Sequence, residues 1–146
     1  MLRWSVLENA TTEELTVLSE GVNQFGRASA IGGHPQPIAC LVREGTAIVA
    51  GGSGRTEFSR LFVSNLWVVE PSRGKGLGSE VLARLESAAH ARGCTDAIVE
   101  TLHDQVAKLY ARVGYETLVT IPRYVGPFTR HVLLKSLVIG VAQSGV

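Results

Sequence analysis

Apolar positions along the chain change their spacing several times, and each change predicts an element. Residues 3–7 fit a short first strand. Thr11 then opens a helix with Glu14 three positions on, the spacing of a capping box. Leu15, Leu18, Val22 and Phe25 follow at helical intervals and define one apolar face. Residues 28–37 hold two glycines and two prolines and read as a loop. Two apolar runs, 38–42 and 46–50, flank Arg43-Glu44-Gly45 and predict a hairpin, after which Gly51, Gly52 and Gly54 loosen the second strand. Residues 61–69 are largely β-branched, aromatic or aliphatic, as in a central strand buried on both faces.

A glycine-rich segment comes next, and then Leu77, Val81, Leu82, Leu85, Ala88 and Ala89 form a stripe at helical spacing that Gly93 is placed to end. Residues 97–99 restart as a strand. Asp104 can cap a short helix whose buried face is Val106, Leu109, Tyr110 and Val113, closed by Gly114. Residues 131–137 form the last clear strand. The order is mixed α/β around a central sheet, with one strand–loop–helix unit at its middle.

Composition narrows the class. The 146 residues, 45% hydrophobic and 18% charged, suit one folded domain spanning 1–146 rather than a disordered chain. A formal charge of +1 speaks against a net-basic nucleic-acid or anionic-membrane binder. Residues 1–14 lack the pattern of a signal peptide, and no apolar stretch reaches the ~20 residues a membrane helix needs, so a cytoplasmic protein is expected. Cys40 and Cys94 share no metal-type spacing and read as two reduced core thiols.

The chemistry sits in Arg73-Gly74-Lys75-Gly76-Leu77-Gly78-Ser79. A strand feeding a glycine-rich turn and then a helix is an anion site. The first helical N–H groups lack intrahelical partners, and the helix dipole puts partial positive charge there. Glycines at alternate positions let a phosphate lie on the backbone amides, and Arg73 and Lys75 add charge. Two familiar nucleotide motifs fail. The P-loop needs Ser or Thr after Gly-Lys, where this chain has Gly76. The dinucleotide fingerprint needs a sixth-position glycine, where it has Ser79.

The segment instead resembles the Arg/Gln-x-x-Gly-x-Gly/Ala signature of the GCN5-related N-acetyltransferases, the GNAT family. Leu66-Trp67-Val68 falls where that family has its bulged central strand. Residues 107–115, Ala-Lys-Leu-Tyr-Ala-Arg-Val-Gly-Tyr, are similar to its second motif, Ala-x-x-Leu-Tyr-x-x-x-Gly-Phe/Tyr, at the family's separation of one helix and one strand. Asp104 departs from the Asn often found three residues before that motif, and Pro71 is displaced by one position.

The resemblance implies a GNAT-type α/β fold with a mixed, mostly antiparallel sheet flanked by helices. It further implies acetyl-coenzyme A as co-substrate, no metal, and direct transfer to a primary amine. Pantetheine would run along Leu66, Trp67 and Val68, with the pyrophosphate on residues 73–79. Tyr110 takes the place of the family's general acid; its ordinary pKa near ~10 keeps it protonated, and it would stabilise the departing sulfur by hydrogen bonding. An alkylammonium acceptor with pKa ~10.4 needs a base at neutral pH. Residues 61–69 hold no acid, so Glu100 on the next strand is the candidate, acting through a water, ahead of Glu57, Glu70 and His103. His34, His90 and His131 receive no role. Residues 124–130 would lie near the acceptor mouth. A small-molecule amine is the expected acceptor. The alternatives are a peptide amine, or a coenzyme-binding sensor without catalysis. Neither nucleic acid nor membrane is an expected partner, and the apolar tail 137–142 would pair with a second copy or finish the core.

Overall fold

The computed structural model describes residues 1–29 and 34–138, in two compact units, Met1–Gly33 and His34–Val146. The first unit carries helix α1, Thr12–Ser29. Its start is the predicted capping box: Thr11 N–H donates to Glu14 Oε1 at 2.9 Å, and Glu14 N–H to Thr11 Oγ1 at 3.1 Å. These bonds hold the Glu14 carboxyl below its ordinary pKa. Residues 3–7 are not a strand; a short apolar segment forms one only where a ladder partner is offered.

The second unit is a six-stranded sheet in the order β1-β2-β3-β4-β6-β5. β1 (Gln36–Glu44), β2 (Ala47–Glu57) and β3 (Arg60–Val68) form an antiparallel meander. β4 (Asp96–Thr101) pairs parallel to β3, and β6 (Phe128–Ser136) pairs antiparallel with both β4 and β5 (Glu116–Val125). Between them run α2 (Leu77–Ala91) and α3 (Asp104–Arg112). The mixed, mostly antiparallel sheet is thus as expected. Residues 139–142 of the apolar tail lie outside the described residues.

One face of the sheet meets the helices. Leu61, Ala97, Val99 and Leu133, from β3, β4 and β6, are buried against Val81, Leu82 and Leu85 of α2 and against Ala107 and Tyr110 of α3. The glycines of β2 permit that contact rather than loosen the strand. A Cβ on Gly52 would stand 2.9 Å from Leu85 Cδ1 of α2, and one on Gly54 would run into the Phe62 carbonyl oxygen of β3. Both helices end in Schellman turns: Cys94 N–H reaches Ala89 O and Tyr115 N–H reaches Tyr110 O, each at 3.0 Å, with Gly93 and Gly114 at positive φ. Tyr115 and Lys135 close on the buried Glu86 carboxylate, each at 2.8 Å, tying α2 to β6.

Two further features of the sheet differ from the sequence reading. β5 was not foreseen. It is an edge strand with all ten residues exposed, Leu118, Val119, Ile121, Tyr124 and Val125 among them, so it carries no burial pattern. Residues 124–130 are the tip of its hairpin with β6, turning at Gly126-Pro127 with Gly126 at φ 54°. β3 is not buried on both faces: Leu61 is fully enclosed while Trp67 is 49% exposed.

Candidate active site

β3 and β4 pair only over Arg60–Phe62 and Asp96–Ile98. Beyond that point no ladder joins them, and the sheet opens. A bulge sits at the opening: Ser53 faces Asn65 and Gly54 faces Val63, so Ser64 has no opposite residue. The bulge shifts the alternation of β3 and re-aims Leu66, Trp67 and Val68. These three form one wall of a groove of about 620 Å³. The opposite wall is Val106 and Leu109 of α3, and the floor is the loop into α2. Val106 and Leu109, expected in the core at their helical spacing, are therefore groove residues. Ala107 and Tyr110 are the buried pair of that helix.

The loop into α2 holds its amides open. Gly74 and Gly76 adopt φ 78° and 79°, a left-handed conformation that disfavours any side chain. Gly76 is the residue at which the helix begins, and no side chain caps that end. Glu80 N–H is the first to bond back, to Gly76 O at 3.1 Å. The N–H groups of Gly76, Leu77, Gly78 and Ser79 have no acceptor among the described residues. Four unpaired donors at the positive end of a 15-residue helix, facing a groove, fit an anionic oxygen cluster such as a pyrophosphate. Arg73 contributes differently from expectation: its Nε donates to Val68 O at 2.9 Å, fastening the loop to the end of β3. Lys75 is exposed and does not line the groove.

A second cavity, about 610 Å³, lies beside the opening. Across the ladders Arg55 faces Phe62 and Phe62 faces Ile98, so all three project from one side of the sheet. Glu100, two residues beyond Ile98, shares that side. The Glu100 carboxylate pairs with the Arg130 guanidinium, which lies 4.8 Å from the Tyr124 ring centroid. His103 lines this cavity, the groove, and a third space of about 440 Å³ beneath Phe128. Its ring meets Phe128 edge-on at 5.9 Å, and its N–H is held by Thr101 Oγ1 at 3.1 Å.

The sequence-predicted residues therefore divide. Leu66, Trp67, Val68, Arg73, Gly74, Gly76, Leu77, Gly78 and Ser79 share the groove. Glu100 lies in the second cavity. Tyr110 lines neither; its ring is 4% exposed in the core, 5.7 Å from that of Tyr115, and burial raises its pKa. Glu57 pairs with Arg55 at 3.4 Å, and Glu70 is exposed in the 3₁₀ turn Glu70–Ser72. His103, not Asp104, is the N-cap residue of α3, and no side chain caps that end. The Asp104 carboxylate instead meets His131 Nε2 at 2.7 Å, giving that histidine a structural partner. Arg55 and Phe62 carried no sequence signal, because only strand register brings them to Glu100.

A sheet opened beside a helix start, with unpaired amides at one end of the gap and a second cavity at the other, defines a coenzyme-dependent group-transfer fold. Residues 5–115 match the Acetyltransferase (GNAT) family. The chain belongs to that family: it is an N-acetyltransferase with acetyl-coenzyme A as co-substrate. It is 42% identical over 91 residues to blasticidin-S acetyltransferase of Streptomyces morookaense, an alignment covering 61% of this chain and 67% of that protein. An acetyltransferase structure from Agrobacterium tumefaciens superposes with a TM-score of 0.83 at 21% identity, covering 92% of this chain and 99% of the other. An aminoglycoside 6'-N-acetyltransferase complexed with coenzyme A superposes at 0.63 with 16% identity, covering 73% and 76%. No helix among the described residues is long and apolar enough to cross a membrane.

Proposed function

We propose that the chain acetylates the primary amine of a small molecule bound in the cavity of Glu100, by direct attack on a thioester held in the groove. The carrying observation is the unpaired N–H set of Gly76–Ser79 at one end of a groove that shares His103 with that cavity. The relative's named acceptor, blasticidin S, is likewise a small molecule, in agreement with a cavity of this size.

Bound acetyl-coenzyme A supplies the activated acyl carbon and a thiolate leaving group. Everything else falls to side chains and backbone. The amides of residues 76–79 bind the pyrophosphate, and Leu66–Val68 with Val106 and Leu109 exclude water from the pantetheine path. An alkylammonium is protonated at neutral pH, and freeing its lone pair costs roughly 4 kcal/mol, so a proton acceptor must stand in the cavity. Glu100 takes that role through a water. Its Oε2 receives Arg130, and among the described residues Oε1 has no partner. Tyr110, kept protonated by burial beside the groove residue Leu109, is the donor that the family motif assigns to the departing sulfur; full transfer to a thiolate of ordinary pKa would run uphill by more than about 2 kcal/mol.

An acetyl-transfer screen over pooled small amines and peptides, read by free-thiol release, tests the reading. Release with small amines and not with peptides is expected. Release with peptides alone overturns the acceptor class. Acetyl-coenzyme A binding without release from any pool overturns the enzyme reading in favour of a coenzyme sensor.

A further inference from the structure

The cavity that holds Glu100 has a second charged end. Arg55 enters it from β2 with its guanidinium 4.1 Å from the Phe62 ring centroid, a stacking contact that fixes the plane of the fork. Only its Nε is engaged, by Glu57 Oε1 at 3.4 Å, and its terminal nitrogens have no partner among the described residues. Arg130, by contrast, is already matched to Glu100. The lining thus holds two guanidiniums and one carboxylate; Glu57 balances the Arg55 charge from outside the lining, through Nε alone, and leaves the terminal donor fork of Arg55 uncommitted. Such a fork suits a carboxylate bidentately. A polyamine or other multiply cationic acceptor would set its second ammonium against Arg55. A larger anion such as a phosphate dianion would find only one uncommitted guanidinium.

From this charge arrangement we infer that the acceptor is amphoteric: a small molecule whose amine lies at Glu100 and whose carboxylate is held by Arg55 over Phe62. The inference rests on the reading of this cavity as the acceptor site, and it adds the substrate class. Arg55 is then a specificity residue, and no proton moves through it.

The test uses the whole chain saturated with coenzyme A and three matched series of three to six carbons: linear ω-amino acids, the corresponding alkylamines and the corresponding diamines. Binding is read by calorimetry, so the result does not depend on turnover. A charge-assisted pair predicts that the best ω-amino acid binds roughly tenfold or more tighter than its alkylamine, with the diamine weakest. Arg55→Gln should bring amino acid and alkylamine within about threefold, Arg55→Lys should keep part of the preference, and Arg55→Glu should invert it towards the diamine. An alkylamine or diamine binding as well as the amino acid in the wild-type chain overturns the inference, as does a preference that survives Arg55→Gln. Failure of acetyl transfer with every amine, while the binding order holds, sinks the enzymatic reading and leaves the amphoteric pocket standing.

Discussion

The groove and the proposed acceptor cavity are nearly equal in volume, about 620 and 610 Å³, yet they are built on opposite principles. The groove recognises through backbone. Its polar contacts are consecutive amides, presented because two glycines take left-handed φ and a helix begins without a cap. The cavity recognises through side chains, and its charges come from β2, β4 and β6, brought together by register across the sheet. A backbone site tolerates little change of conformation but much change of side chain. A side-chain site does the reverse, and so can be re-specified one residue at a time without moving the coenzyme. Substitutions that break one site should leave the other intact.

The largest effect belongs to Glu100→Gln. General-base catalysis is worth about 100-fold or more, so kcat should fall by that factor while calorimetry shows acetyl-coenzyme A affinity within about twofold of wild type. The Glu100–Arg130 pair is partly exposed, 43% and 29%, and its loss should cost less than about 1 kcal/mol of stability. A rate close to wild type would move the proton acceptor elsewhere, to His103 first, since that ring touches all three spaces.

Gly76→Val strikes the other site. At φ 79° a β-branched residue costs of order 1–3 kcal/mol, relieved by turning the loop and its amides away, so acetyl-coenzyme A should bind roughly 30-fold more weakly. Gly78→Ala supplies the contrast. Its Cβ would lie 3.7 Å from Val68 Cγ2, an ordinary contact at an unstrained position, and affinity should change by less than about threefold. Equal losses in the two variants would mean that open space, and not backbone conformation, governs the groove.

This difference also explains what could be read from the chain alone. The capping box at Thr11, the glycine stops at Gly93 and Gly114 and the anion site at Gly74-Lys75-Gly76 are local: a few adjacent residues contain the whole cause. Arg55 and Phe62 were invisible because their pairing depends on a bulge at Ser64 and on the β2–β3 register. β5 escaped because an exposed edge strand needs no apolar alternation. Val106 and Leu109 carried the right signal, helical periodicity, which does not distinguish the core from a groove wall.

Helix α3 walls the groove with Val106 and Leu109 and packs Tyr110 into the core, and Tyr110→Phe separates the chemical part of that residue from its packing part. Loss of a hydrogen bond to the leaving sulfur should lower kcat about tenfold with the affinity for acetyl-coenzyme A unchanged. An unaltered kcat would leave Tyr110 as a core aromatic beside Tyr115 and the thiolate to depart without its help.

The smallest effect is a pH dependence that tests the packing part alone. Burial raises the pKa of Tyr110, and burial together with the Glu86 carboxylate raises that of Tyr115 further. A raised folded-state pKa makes stability complete below the unfolded value, near ~10 for tyrosine, and lost as pH climbs above it, because the unfolded chain then sheds protons that the folded chain keeps. Chemical unfolding at successive pH values should therefore be flat with respect to these two groups below pH ~10 and decline above it, by up to about 1.4 kcal/mol per pH unit for each tyrosine. Tyr115→Phe should halve that slope without touching the acetyl-coenzyme A titration, since Glu86 keeps Lys135. Were there no decline above pH ~10, the two hydroxyls would titrate as if in water, and the packing around Tyr110 and Tyr115 would be far looser than their 4% and 3% exposures require.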